Sequence, residues 1–386
     1  MESQHPHPSI SGQTPFQTYS GTLKGIIEAF QQGNYSDTID QCQKMMESSG
    51  FKPASEILRK VLLILARAYS ELHKDNEAIA YLMKTLDMTE MLYGKDSSEA
   101  GDIFLLIAAI QKGALNFEES HKNLQKALDI YTLRYGDSHI KVADTLINLG
   151  NLANKKQEFD QSLTYYKKAL EIYSNHPAEK NPNLAKLYNN MGSVYYEKGE
   201  YKEALRNFKM AKQLYRTFSS DYKSELAEVN FNLGLVYQVI QKYPKALRCL
   251  SKCLEFCIKH EFFKEAVEVY NMIGDIYFEE FGIEKAFSYF FQGLKLQQLT
   301  NQEGPETGIT FSNIGKCYFQ ADKYLESFKF YRKSLQVKNK YLKPDDNEVS
   351  DTLYNLAICL ECLDIRELSA AYYSKSTLAK SKIPPN

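Results

Sequence analysis

The stretch LINLGNLANKKQEFDQSLTYYKKAL, residues 146–170, is written again 42 residues later as YNNMGSVYYEKGEYKEALRNFKMAK, residues 188–212. In the first copy Leu146, Leu149, Gly150 and Ala153 fall at helical spacing, so one face of a helix is apolar. Lys155, Lys156 and Gln157 end that helix in a polar turn. Phe159, Ser162, Tyr166, Ala169 and Leu170 then form the apolar stripe of a second helix. In the second copy Met191, Gly192 and Tyr195 precede a turn at Lys198-Gly199-Glu200, and Tyr201, Ala204, Phe208 and Ala211 follow it. Gly199 falls just past a helix end, where a left-handed residue is favoured. Each copy therefore predicts an antiparallel helical hairpin.

Outward from these copies the pattern runs through the chain. Its anchor positions are Ile26, Ala66, Ala108, Gly150, Gly192, Gly234, Gly274, Gly315 and Ala357, at steps of 40 to 42 residues. Twelve places after the anchor a small residue recurs, as at Ala78, Ser120, Ser162, Ala204, Ala246, Ala286 and Ser327. A fixed period of this length means stacked hairpins, each burying its apolar face only against its neighbours. The expected fold is all-α, an α-solenoid of about nine hairpins. Its end hairpins are atypical, as caps are. The first has Met45-Met46 where Ala-Leu is usual, and the last has Arg366 in an aromatic place and Ala370 one place late. Residues 1–19 carry proline, serine and glutamine with little periodicity and are expected to be disordered. One solenoid is expected over 20–380, followed by a short disordered tail, 381–386.

Composition narrows the function. With 44% apolar residues, 25% charged residues and a formal net charge of −1, nothing draws the chain to nucleic acid or an acidic membrane surface. The longest apolar runs, Val61–Ala66 and Ile103–Ile110, are far short of the ~20 residues of a membrane span. Seven cysteines, an odd number without a disulfide-framework spacing, point to a reducing compartment. The expectation is a soluble, intracellular, cytoplasmic protein.

The motif Leu-Gly-x-x-Tyr, then an aromatic, then Ala, resembles the tetratricopeptide repeat, best at Leu149-Gly150, Met191-Gly192 with Tyr195, and Leu233-Gly234 with Tyr237. That repeat is usually 34 residues long. The 42-residue form, with linkers such as Tyr135-Gly136-Asp137-Ser138-His139 and Tyr93-Gly94-Lys95-Asp96, is similar to the repeats of kinesin light chains and related scaffolds. The resemblance implies a right-handed superhelix whose first helices line a concave groove. It also implies a non-enzymatic scaffold or adaptor that binds a peptide or helix of a protein partner there, in a cytoskeletal or ciliary assembly. Two alternatives stand beside it: a structural subunit held through its ends and convex face, and a peptide-responsive regulator.

Within that register, asparagine recurs two residues before the anchor, at Asn148, Asn190, Asn232, Asn313 and Asn355. Asparagine is a mediocre helix former, and its amide offers donors and an acceptor to a peptide backbone. It can equally satisfy a neighbouring hairpin. Flanking positions expected to set specificity include Asn151, Lys155, Glu197, Leu235, Val239 and Lys316. A basic cluster, Lys329, Arg332, Lys333, Lys338, Lys340 and Lys343, is either a solvated face or a docking site for an acidic partner such as a microtubule. Cys359-x-x-Cys362 and the run Cys249, Cys253, Cys257 are expected to be buried thiols. No phosphate loop, dinucleotide fingerprint or helical histidine pair occurs. No cofactor, metal or catalytic residue is expected.

Overall fold

The computed structural model describes residues 15–47, 56–175, 182–218, 222–301 and 303–380. The tail 381–386 and residues 1–14, with His5 and His7, lie outside the described residues. Helix begins at Pro15, inside the segment expected to be disordered, and Pro15 takes the first helical place, where a missing N–H costs nothing.

The chain forms two compact units, residues 1–179 and 180–386. The first holds α1 (Pro15–Gln31), α2 (Tyr35–Glu47), α3 (Glu56–Glu71), α4 (Asp75–Tyr93), α5 (Ser98–Gly113), α6 (Phe117–Tyr135), α7 (Ile140–Lys155) and α8 (Phe159–Ser174). The second holds α9 (Pro182–Glu197), α10 (Tyr201–Thr217), α11 (Lys223–Val239), α12 (Tyr243–Lys259), α13 (Phe263–Ile276) and α14 (Ile283–Thr300). It continues with α15 (Pro305–Gln320), α16 (Tyr324–Tyr341), α17 (Asn347–Cys362) and α18 (Arg366–Lys380). Each odd helix packs on the even helix that follows it, and within a unit each even helix packs on the next odd one. First helices also meet directly, α1 with α3, α9 with α11 and α13 with α15. They therefore share one side of each stack. The described residues contain no strand.

Three devices recur among the hairpins. The turn passes through a left-handed residue seven places after the anchor: Gly33, His73, Leu115, Gln157, Gly199, Gln241, Asp322 and Asp364, with φ between 56° and 77°. The exception is the hairpin of Gly274, where α13 runs on as a π-helical turn, Tyr277–Phe281. That turn adds one residue, so the left-handed place falls on Gly282 at φ 100°. Second, the glycine anchor admits the side chain sixteen places on. A Cβ on Gly192 would stand 2.6 and 2.7 Å from ring carbons of Phe208, and one on Gly234 would stand 2.6 Å from Leu250. Third, a serine twelve places after the anchor donates to the anchor's carbonyl. Ser120 reaches Ala108 at 2.7 Å, Ser162 reaches Gly150 at 2.8 Å and Ser327 reaches Gly315 at 2.8 Å.

The last hairpin keeps this third device. Ser369 is buried and donates to the Ala357 carbonyl at 2.9 Å, so the small residue is in register and Ala370 is not its substitute. The cysteines follow expectation except at one place. Six are buried, but Cys362 is exposed, so Cys359 and Cys362 are not a buried pair.

Candidate functional site

Positions −2, +1 and +5 relative to the anchor are three and four residues apart, so they form one stripe on a first helix. The anchor itself faces the second helix of its own hairpin, as Gly150 does Tyr166. The stripe is consequently turned away from that contact. Asn148 on α7, Asn190 on α9, Asn232 on α11, Asn313 on α15 and Asn355 on α17 are all half-buried. Lys155, Glu197, Val239 and Lys316 are exposed, and Leu235 and Asn151 are half-buried. Asn148, Asn151 and Lys155 belong to the first unit and the others to the second.

The asparagines do not all offer the same groups. The Asn232 amide donates to Asn189 Oδ1 at 3.0 Å, and the Asn189 amide donates to Glu228 at 2.8 Å, tying α9 to α11. The Asn151 carbonyl accepts from the Tyr166 hydroxyl at 2.6 Å. The hairpin of Gly274 has Met272 in the column and Asn271 one place earlier, buried, its amide donating to Thr310 at 3.0 Å. Part of the asparagine content therefore joins neighbouring first helices. The Asn189 and Asn271 bridges escaped the sequence reading because they sit at −3; the doubled Asn189-Asn190 was the available signal.

Farther along the second unit the stripe borders a cavity. Lys316 and Asn355, on adjacent first helices, line one cavity of about 240 Å³ with Phe278, Phe319, Tyr331 and Ile358. The Lys316 ammonium lies 4.4 Å from the centre of the Phe278 ring. The Asn313 amide nitrogen is sealed from solvent and faces a carboxyl. Beside it is Asp275, whose carboxyl burial pushes up to about 6; Glu279 adds to the shift while Lys316 and Asn313 oppose it. A cation, a ring, a buried amide and a carboxyl raised by burial thus meet on one face.

The basic cluster is not a single surface. Lys329, Arg332 and Lys343 are exposed. Lys333 lies over the Phe311 and Phe330 rings, and Lys340 pairs with Glu303 at 2.7 Å. Lys338 is buried, pairs with Glu348 at 3.2 Å and donates to Thr352 at 3.2 Å. Its docking role is corrected accordingly: it fastens α16 to α17, and burial lowers its pKa against the pull of Glu348.

Family models described as tetratricopeptide repeats match residues 58–99, 99–175, 141–217 and 306–377, together more than half of the chain. The chain belongs to the tetratricopeptide-repeat family. No curated protein matches it. Among solved structures, this tetratricopeptide chain is similar to a signal-transduction ATPase with numerous domains from Pyrococcus horikoshii that has a tetratricopeptide-repeat sensor. The identity is 15%, the TM-score 0.67, and the match covers 97% of this chain and 53% of that one. It is similar to the apo quorum sensor NprR from B. thuringiensis, with 16% identity, a TM-score of 0.62 and coverage of 94% and 99%. It is also similar to a Rap protein complexed with competence and sporulation factor, with 15% identity, a TM-score of 0.52 and coverage of 95% and 99%. At these identities the likeness is one of fold. Among the described residues no group of three or more His, Cys, Asp or Glu is placed to hold a metal ion, and no helix is long and apolar enough to cross a membrane.

Proposed function

We propose that the chain is a non-enzymatic scaffold that holds a peptide or helix of a partner protein along the stripe of its first helices. The observation that carries the reading is the cavity that Lys316 and Asn355, on adjacent first helices, share with Phe278, Phe319 and Ile358. A cation and an amide there can hold peptide carbonyls, and the rings can take an apolar side chain. Asn190 and Asn232 stand in the same register farther along the first helices, and Asn232, whose amide is engaged by Asn189, contributes through its oxygen. The 42-residue period and its resemblance to kinesin light chains support a cytoskeletal or ciliary setting.

Affinity capture from the native source with crosslinking mass spectrometry identifies the partner, and calorimetry then measures it. Lys316→Ala with Asn355→Ala should weaken binding about tenfold or more, and Asn190→Ala with Asn232→Ala should weaken it less. Unchanged affinity in both folded variants would sink the reading. A peptide-responsive regulator is the second reading, supported by the likeness to the quorum sensor and to the Rap protein complex. It requires that a short free peptide, without its parent protein, changes hydrogen exchange beyond the helices it touches.

A further inference from the structure

A second cavity, of about 220 Å³, lies where the hairpin α11–α12 meets α13. Phe231, Phe256, Phe262 and Val269 form its apolar wall with the thiols of Cys253 and Cys257, which stand 3.9 Å apart. That volume is below the range of small-molecule pockets and suits one side chain. The charged groups on its lining are all acidic: Glu228, Glu265 and Glu268. Among the described residues none of the three forms an ion pair. Solvent reaches Glu268, yet partial burial and then the nearby Glu306 and Glu265 raise its pKa, with Lys264 opposing. The rim therefore carries an excess of negative charge. It is also continuous with the asparagine column, because Glu228 accepts from Asn189, which accepts from Asn232.

We propose that this cavity takes a single aliphatic or aromatic side chain of a partner segment whose neighbouring Lys or Arg residues are held by Glu228, Glu265 and Glu268. The assignment rests on the scaffold reading and gives that partner a chemistry: an apolar anchor flanked by cations. The apolar wall supplies non-directional attraction for the anchor, whereas the acidic rim rejects a segment flanked by Asp or Glu. Like-charge contact at a rim is costly, and opposite charge there speeds and orients docking.

The test uses the full chain and two short acetylated, amidated peptides, one alternating Leu with Lys and the other Leu with Glu. Each carries a diazirine analogue of Leu at its centre. The Leu–Lys peptide is expected to bind about tenfold more tightly. Its photo-crosslinks are expected on Phe231, Phe256 or Phe262. Glu265→Gln with Glu268→Gln, both at the surface, should cut the preference to about twofold or less, and raised salt should do the same. Equal affinities, a preference that survives the double substitution, or crosslinks confined to α15 and α17 would each overturn the assignment. The last result would leave the scaffold reading standing. Absence of binding by either peptide at about 1 mM also overturns it, and does so independently of the substitutions that test the scaffold.

Discussion

Replacing the anchor glycines by alanine sets two effects of similar size against each other, and the structure decides which wins at each site. In a helix interior Gly→Ala gains roughly 1 kcal/mol of helix propensity. Against that stands the space a Cβ would need. At Gly274 the new carbon would press on the Phe290 ring, with two further ring atoms at 2.6 and 2.7 Å, and Phe290 is only 1% exposed. The ring cannot swing into solvent, so the hairpin must open. Overpacking of this kind costs roughly 1–3 kcal/mol, and a close approach over much of a ring belongs at the upper end. The net for Gly274→Ala is a loss of about 2 kcal/mol.

At Gly315 the nearest atoms of Tyr331 lie at 3.1 to 3.2 Å, a shortfall of only tenths of an ångström, so cost and propensity gain cancel to about zero. Both sites are in the second unit, and urea unfolding followed by circular dichroism compares them directly. Gly274→Ala should lower the midpoint clearly while Gly315→Ala leaves it in place. Phe290→Leu combined with Gly274→Ala should recover part of the loss in a double-mutant cycle. Equal midpoints for the two alanine variants, or a stabilised Gly274→Ala, would refute the close-approach account of the anchor.

Leu115 holds a left-handed conformation at φ 60° with its side chain 74% exposed, so Leu115→Gly should stabilise the first unit by about 0.5–1 kcal/mol in thermal unfolding. Asp275 has its carboxyl raised by burial from 3.8 to about 6, so in that interval the folded chain keeps a proton that the unfolded chain releases. Stability should therefore fall as pH rises from about 4 to about 6, by about 1–3 kcal/mol, and Asp275→Asn should flatten that part of the profile. Lys338→Met should cost about 1–2 kcal/mol by stranding the acceptors of Glu348 and Thr352. Lys340→Met, which breaks a shorter but exposed ion pair with Glu303, should stay within about 0.5 kcal/mol in the same melts.

The hairpins were legible because their signals are local. Anchor, turn, Ser or Ala and facing ring all fall within sixteen residues, so Gly150, Gln157, Ser162 and Tyr166 announce one hairpin without reference to any other. The π-turn at Tyr277–Phe281 left no mark in the spacing of the small residues, because Ala286 still falls twelve places after Gly274. That the left-handed place falls eight residues after the anchor, on Gly282, needed the backbone. In the candidate site the column itself was readable, and the engagement of its members was not. Asn232 and Asn355 are alike in register, yet one donates across 43 residues of chain to Asn189 and the other lines a cavity with Lys316.

By itself the amino-acid sequence determined the all-helical class, the hairpin unit, its turn and the side of each first helix on which the asparagines stand. These follow from periodicity and from steric demands within a few helical turns. Only the tertiary structure decided that Lys338 is a buried clasp rather than a docking charge, that Asn271 bridges to Thr310, and that Cys253 and Cys257 wall a cavity ringed by glutamates. Those outcomes depend on how neighbouring hairpins set their register against one another. That register is fixed by many weak packing contacts between residues about forty places apart, a separation over which a helical period carries no information.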